Sequence, residues 1–123
     1  MKIYDSEREQ EEISFIKTAF SKGFRIINPN TDIEKKNKEK PSSEIMKLCL
    51  KAVKKARIVI CSEYHDHIGK GIYQELELVL EKKIPVFCIV KKDSEYGLKK
   101  VVSLEIDNEK DWSVSYGKLI FKD

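Results

Sequence analysis

The sequence predicts an α/β domain in which helices cover both faces of a small, mostly parallel sheet, a three-layer sandwich. Three observations predict it. Short apolar, β-branched runs alternate along the chain with helical patterns, as in strands joined by crossover helices. The 123 residues suffice for one hydrophobic core and are too few for two, so residues 1–123 are read as a single domain. The hydrophobic content of 41% is in the globular range, and 24 basic against 21 acidic residues leave too little net charge to hold the chain unfolded by repulsion.

The first element is a very short strand, Lys2-Ile3-Tyr4, ending at Asp5. Ser6 with Glu9 makes a capping box, in which each side chain satisfies the other's free backbone N–H. A helix is expected from about Glu7 to Ser21, with Ile13, Ile16, Ala19 and Phe20 recurring at spacings of three and four and Gly23 closing it. Phe24-Arg25-Ile26-Ile27 reads as a second strand, stopped by Asn28-Pro29-Asn30. Residues 31–41 are polar and lysine-rich and read as a surface loop with room for one helical turn.

Ser42 and Ser43 are candidate N-caps for the clearest helix. Its apolar positions, Ile45, Leu48, Cys49, Ala52, Val53 and Ala56, follow a 3.6-residue period, with Lys47, Lys51, Lys54 and Lys55 on the wet face. Ile58-Val59-Ile60-Cys61 is continuously apolar, as a strand covered on both faces should be. A loop from Ser62 to Lys70 leads into a helix from about Gly71 to Lys83, with Ile72, Leu76, Val79 and Leu80 inward. Pro85 opens a fourth strand, Val86 to Val90. After a charged loop, Val101 to Ile106, Trp112 to Tyr116 and Leu119 to Phe121 alternate more than they run, so residues 91–123 are read as a C-terminal extension of edge strands or a terminal hairpin.

Right-handed crossovers leave few topologies. The flavodoxin-like, Rossmann-like order 2-1-3-4-5 fits best, and in such sheets the ligand crevice opens at the carboxyl ends of strands 1 and 3. That directs attention to Tyr4-Asp5 and to Ser62 through Glu75. Within the second stretch, Gly69 and Gly71 flank Lys70 just before a helix, a plausible anion seat made of free N–H groups at the positive helix end. The run is neither a GxxxxGK[ST] phosphate loop nor a GxGxxG turn. A tight strand-to-helix turn is the competing reading.

Other chemistry is thinly signalled. Cys49, Cys61 and Cys88 sit singly in apolar runs, with no paired spacing, and read as buried free thiols. His65 and His67, the two histidines of the chain, lack a third ligand, so a solvated loop is expected and no metal or cofactor. No apolar run is long enough to cross a membrane and no signal-peptide core is visible, which places the chain in the cytoplasm. Lysine makes up 21 of the basic residues. Residues 35–57 carry nine basic residues against two acidic, yet lysines along one helix face without interleaved aromatics read as its solvated side, not as a nucleic-acid surface.

The stretch Gly71-Ile72-Tyr73-Gln74-Glu75, with Ile84-Pro85-Val86 following, resembles the core of the nucleoside 2-deoxyribosyltransferase family, where a glycine turn precedes the catalytic glutamate by four residues and a Pro-Val strand start follows. Ala19 to Pro29 likewise resembles the family's first helix and second strand, and the likeness extends over roughly residues 1–90. Asp5-Ser6-Glu7, Arg57 and Lys70-Gly71-Ile72 depart from the family's usual glycine-proline turn, acidic residue and Ser-Gly-Thr. The resemblance implies a flavodoxin-like fold and cleavage or transfer at an N-glycosidic bond of a nucleoside or nucleotide. Glu75 is then the carboxylate that attacks or stabilises an oxocarbenium-like centre. Asp5 is a second catalytic candidate, binding a sugar hydroxyl or positioning a base. Tyr4 is expected to stack on the base, Lys70 to hold a 5′-phosphate, and Asn28, Ser62, Gly69 and Gly71 to line the substrate. Glu77, two residues on, points elsewhere around the helix and serves as the control.

Two other readings use the same residues. TIR-type NAD hydrolases share a small flavodoxin-like domain and a helix glutamate, with nicotinamide as leaving group. A non-catalytic nucleotide-binding or sensor module keeps the crevice without turnover. Family members commonly build the pocket across a subunit interface, so a homodimer or larger homo-oligomer is expected, with the segment around Trp112 and Tyr116 covering the neighbour's crevice.

Overall fold

The computed structural model describes residues 6–20, 37–63, 65–111 and 115–123. These form α1 (Ser6–Ala19), α2 (Ser42–Lys54), β1 (Val59–Cys61), α3 (Lys70–Glu81), β2 (Val86–Lys92), β3 (Glu95–Ile106) and β4 (Gly117–Phe121). The expected strands at 2–4 and 24–27 lie outside the described residues.

The α/β class holds, and the four strands form one sheet in the order β1-β2-β3-β4. The β1–β2 pair is parallel, with Val59 opposite Val86 and Cys61 opposite Cys88. Both other pairings are antiparallel, so this part of the sheet is mixed, not mostly parallel. The predicted helix-strand-helix-strand run from α2 to β2 is present. Beyond it the chain turns back on itself twice.

The first turn overrides the sequence reading. The expected charged loop after residue 90 is instead a long hairpin, pairing Lys91 with Tyr96 and Lys92 with Glu95. Its tip is Asp93-Ser94, with φ of 50° and 72°. Two consecutive left-handed residues are what a two-residue hairpin of type I′ demands, because that twist matches the flanking strands. The hairpin also receives α1. The ring of Phe15 lies 5.8 Å from that of Tyr96. The Tyr96 hydroxyl donates to Glu11 Oε2 at 2.5 Å, and Lys91 Nζ is 3.6 Å from the same oxygen. The hydroxyl, and then Lys91, holds the Glu11 carboxyl below its ordinary pKa.

Apolar period sets the core. Cys49 and Val53 of α2 and Tyr73, Leu76 and Val79 of α3 are buried, as predicted for all but Tyr73. Val53, Leu76 and Val79 meet Val86, Cys88, Val101 and Leu119 of the sheet in one cluster. Val101 and Leu119 therefore seat β3 and β4 in the same core as the parallel pair. At the start of α2, Pro41 takes the cap position that Ser42 and Ser43 were expected to fill, with φ −58° and ψ 149° and no side-chain cap bond. Its carbonyl accepts from the N–H groups of Glu44 and Ile45 at 3.0 and 3.1 Å. The fixed φ of proline suits this entry to a helix.

The end of α3 is closed by a left-handed residue. Lys83 has φ 60°, its N–H donates to Leu80 O at 3.0 Å, and the Ile84 N–H donates to Val79 O at 3.1 Å. This is the Schellman pattern, in which glycine is the preferred residue at the left-handed position. Lys83→Gly is expected to raise stability by about 0.5–1 kcal/mol, relief of αL strain outweighing the extra entropy glycine has when unfolded. Urea unfolding at constant m-value checks it; a destabilised variant overturns this account of the helix end.

Candidate functional site

The chain between β1 and α3 carries most of the candidate residues. Ser62 directly follows β1 and is half-buried; Gly69 is buried and caps α3; Lys70 and Gly71 are its first two residues. Asp5, Tyr4 and Asn28, and Tyr64 within the loop, lie outside the described residues.

The glycines have a packing reason first. Gly69 has φ −78° and ψ 171°, an extended conformation open to any residue. A β-carbon on Gly71 would come within 3.3 Å of Met46 Cε, so the bare backbone lets the start of α3 lie against α2. The helix end still keeps features of an anion seat: no side chain caps it and its first turn has no acidic residue. Lys70 is half-buried, with Nζ 5.8 Å over the ring of Tyr116.

Glu75 is the sixth residue of α3 and half-buried. It follows Gly71 by four positions, so it continues the helix stripe that begins against Met46 of α2. Glu77 is exposed, as the two-residue offset predicts. Because Glu75 lies beyond the first turn, the helix dipole reaches it weakly.

The loop itself is pinned to the C-terminal hairpin. Ile68, 2% exposed, forms a two-bond bridge with Gly117: N–H to O at 2.8 Å one way and 3.0 Å the other. Tyr73 packs edge-on against Tyr116, ring centres 5.2 Å apart. Tyr116 thus packs on its own chain's α3. It precedes β4 and is not in a strand, contrary to the expected strand from Trp112 to Tyr116, whose residues 112–114 lie outside the described residues.

His67 is more than a solvated loop residue. Its Nδ1 is 2.9 Å from the His65 carbonyl and its Nε2 is 2.7 Å from Asp107 Oδ2. Both partners accept, so the doubly protonated ring is the form that makes both bonds at once. The His65 carbonyl, and then the Asp107 carboxylate, raise its pKa above the ordinary value. Lys118 Nζ, 3.9 Å from Asp107 Oδ1, opposes this. With the folded pKa raised, the clamp's contribution to stability is complete below about pH 6.5, the unfolded value, and is lost as pH rises through the folded pKa. Proton NMR should give a His67 midpoint above the ordinary histidine value of about 6.5, and Asp107→Asn should lower it only part of the way, since the His65 carbonyl remains. An unchanged midpoint in Asp107→Asn removes Asp107 from the clamp.

Sequence reasoning passed over two buried or half-buried carboxyls. Glu12 on α1 is 4% exposed. Glu63, two residues past β1, accepts from the Cys88 thiol, Sγ to Oε1 3.7 Å. Burial, and then the Asp66 carboxylate, raise the Glu63 pKa. A glutamate two residues after a continuous apolar strand was the available signal. The Cys88 thiol is pushed up in turn, first by the Cys61 thiol beside it and then by burial. All three cysteines are free thiols, Cys49 and Cys88 buried and Cys61 half-buried. Among the described residues, no group of three or more His, Cys, Asp or Glu side chains is placed to hold a metal ion.

No helix among the described residues is long and apolar enough to cross a membrane. Comparisons with protein-family models, with curated proteins and with solved structures give no match.

Proposed function

We propose that this chain cleaves or transfers an N-glycosidic bond of a nucleoside or nucleotide, with Glu75 as the carboxylate at the anomeric carbon. The observation that carries the reading is the contrast along α3. Glu75 is half-buried on the stripe that starts at Gly71, whereas Glu77 is exposed. A carboxylate kept partly out of water, close to a glycine-led helix start, suits the charge that develops when a base departs from a sugar. Lys70, next to the uncapped helix end, suits a 5′-phosphate, which favours nucleotides over nucleosides.

The proposal carries a flavodoxin-like three-layer fold with it. In the expected order 2-1-3-4-5 the third and fourth strands correspond to the parallel pair β1 and β2, whereas β3, next in that order, runs antiparallel. It also carries Asp5, Tyr4, Asn28, Ser62, Gly69 and Gly71 as substrate contacts, a cytoplasmic location and a homo-oligomer. A TIR-like NAD hydrolase is the same chemistry with another leaving group.

Chromatography of deoxynucleosides, their 5′-monophosphates, ribonucleotides and NAD after incubation with the protein tests the reading. Release or exchange of a base is expected from one class. A panel that raises the melting temperature with nothing consumed replaces the enzyme by a nucleotide-binding module.

A further inference from the structure

Cys61 and Cys88 are direct partners across the parallel pair, on the last of its three rungs. Neighbouring strands run roughly 4.8 Å apart, and residues opposite one another in a parallel pair point to the same face, so the two thiols lie side by side. A disulfide joins Cα atoms about 4.4–6.8 Å apart, a range that includes this spacing. The two cysteines differ in access. Cys61 is half-buried and is the last residue of β1, whereas Cys88 is 0% exposed within β2. The Cys88 thiol has the Cys61 thiol beside it, with Ile89 O at 3.5 Å and Glu63 Oε1 at 3.7 Å. The Cys61 thiol, and then burial, keep Cys88 protonated, so it does not meet an oxidant on its own. Cys49, the third cysteine, is buried on α2 and lies outside this pair.

We propose that Cys61 and Cys88 are a two-thiol oxidation site that takes a hydroperoxide and closes to a reversible cross-strand disulfide. The site needs nothing from the N-glycosidic chemistry of Glu75. Hydrogen peroxide is small enough to reach a half-buried thiol. The Cys61 sulfur takes one peroxide oxygen as the O–O bond breaks, the thiol proton leaves with the other oxygen as water, and Cys61 becomes a sulfenic acid. The Cys88 sulfur then bonds to the Cys61 sulfur. The S–O bond breaks with its electron pair, and the departing hydroxide takes the Cys88 proton and leaves as water. Two thiols have then lost two electrons, and one peroxide has become two waters. A neighbour in register traps the sulfenic acid before a second oxidation. The β-carbons of a disulfide are about 3.5–4.5 Å apart, closer than the strand spacing, so the end of β1 is drawn inward. A bond held under that tension is readily reduced again.

The test treats the full, reduced chain with hydrogen peroxide under native conditions, removes the peroxide, and alkylates with a maleimide in denaturant. By mass spectrometry the parent should lose two hydrogens and keep only Cys49 of its three thiols open to the maleimide. Digestion should yield a peptide pair joined through Cys61 and Cys88, and dithiothreitol should return all three thiols. Cys88→Ser should stop at the sulfenic acid on Cys61, which dimedone traps, whereas the parent resists trapping. Cys49→Ser should still form the disulfide. If Cys88→Ser does not fold, the peptide map of the parent decides. Three alkylated thiols after peroxide, a bond that includes Cys49 or joins two chains, or a sulfenic or sulfinic acid that persists on Cys61 of the parent overturns the site.

Discussion

Glu75→Gln is expected to reduce base release on the order of 10³-fold or more, with the melting temperature unchanged to within about 2 °C. Glutamine has nearly the volume of glutamate, so the half-buried position on α3 keeps its shape. What is lost is the negative charge and the oxygen that bonds to carbon, needed only as the bond to the base breaks. Such a loss appears in kcat and kcat/KM together, with substrate binding little changed. Glu77→Gln, on an exposed position of the same helix, should retain full activity. Equal losses in the two variants would show that the helix merely needs negative charge. A fully active Glu75→Gln would leave the binding module as the better account.

Gly117→Ala is expected to cost about 2–4 kcal/mol of stability, at or above the upper end for overpacking by a single methyl group. A β-carbon there would lie 2.6 Å from Tyr73 Cδ2 and 2.9 Å from the Glu105 carbonyl oxygen. The ring is able to shift only by giving up its edge-on contact with Tyr116, and the carbonyl belongs to β3, whose pairing with β4 runs past it. Gly117 is thus required by space. Denaturant unfolding measures the effect. Combining Gly117→Ala with Tyr73→Leu should recover part of the loss, because the contact with Glu105 remains. A variant within 0.5 kcal/mol of the parent, roughly the range of neutral surface changes, overturns this account.

The sequence reading succeeded where apolar period and chain-local chemistry decide structure. The α2 stripe, the β-branched run at β1, the inward face of α3 and the strand after Pro85 were all legible because each repeats with its own period. The hairpin from Lys91 to Lys100 was not. Its residues are charged because they reach beyond the core, so they carry no apolar alternation, and Asp93-Ser94 lacks the glycine that usually advertises such a turn. Of the candidate residues, Gly69, Lys70, Gly71 and Glu75 lie close together in one stretch of chain, so the sequence could nominate them as a group. Glu63 and the His67–Asp107 clamp were missed because their partners are distant in sequence: Cys88 for one, Asp107 for the other. Long-range partners leave no local pattern.

The two-bond bridge between Ile68 and Gly117 also sets an order of events during synthesis. The loop leading into α3 leaves the ribosome well before the strand that pins it, and the intervening chain must first turn through two hairpins. Those hairpins close between near neighbours and form fast, whereas the bridge joins distant parts of the chain and must wait for them. The nascent chain can therefore fold its helices and first strands early, yet the loop between β1 and α3 gains its anchor only as β4 arrives, so its fixed shape is a late property of the growing polypeptide.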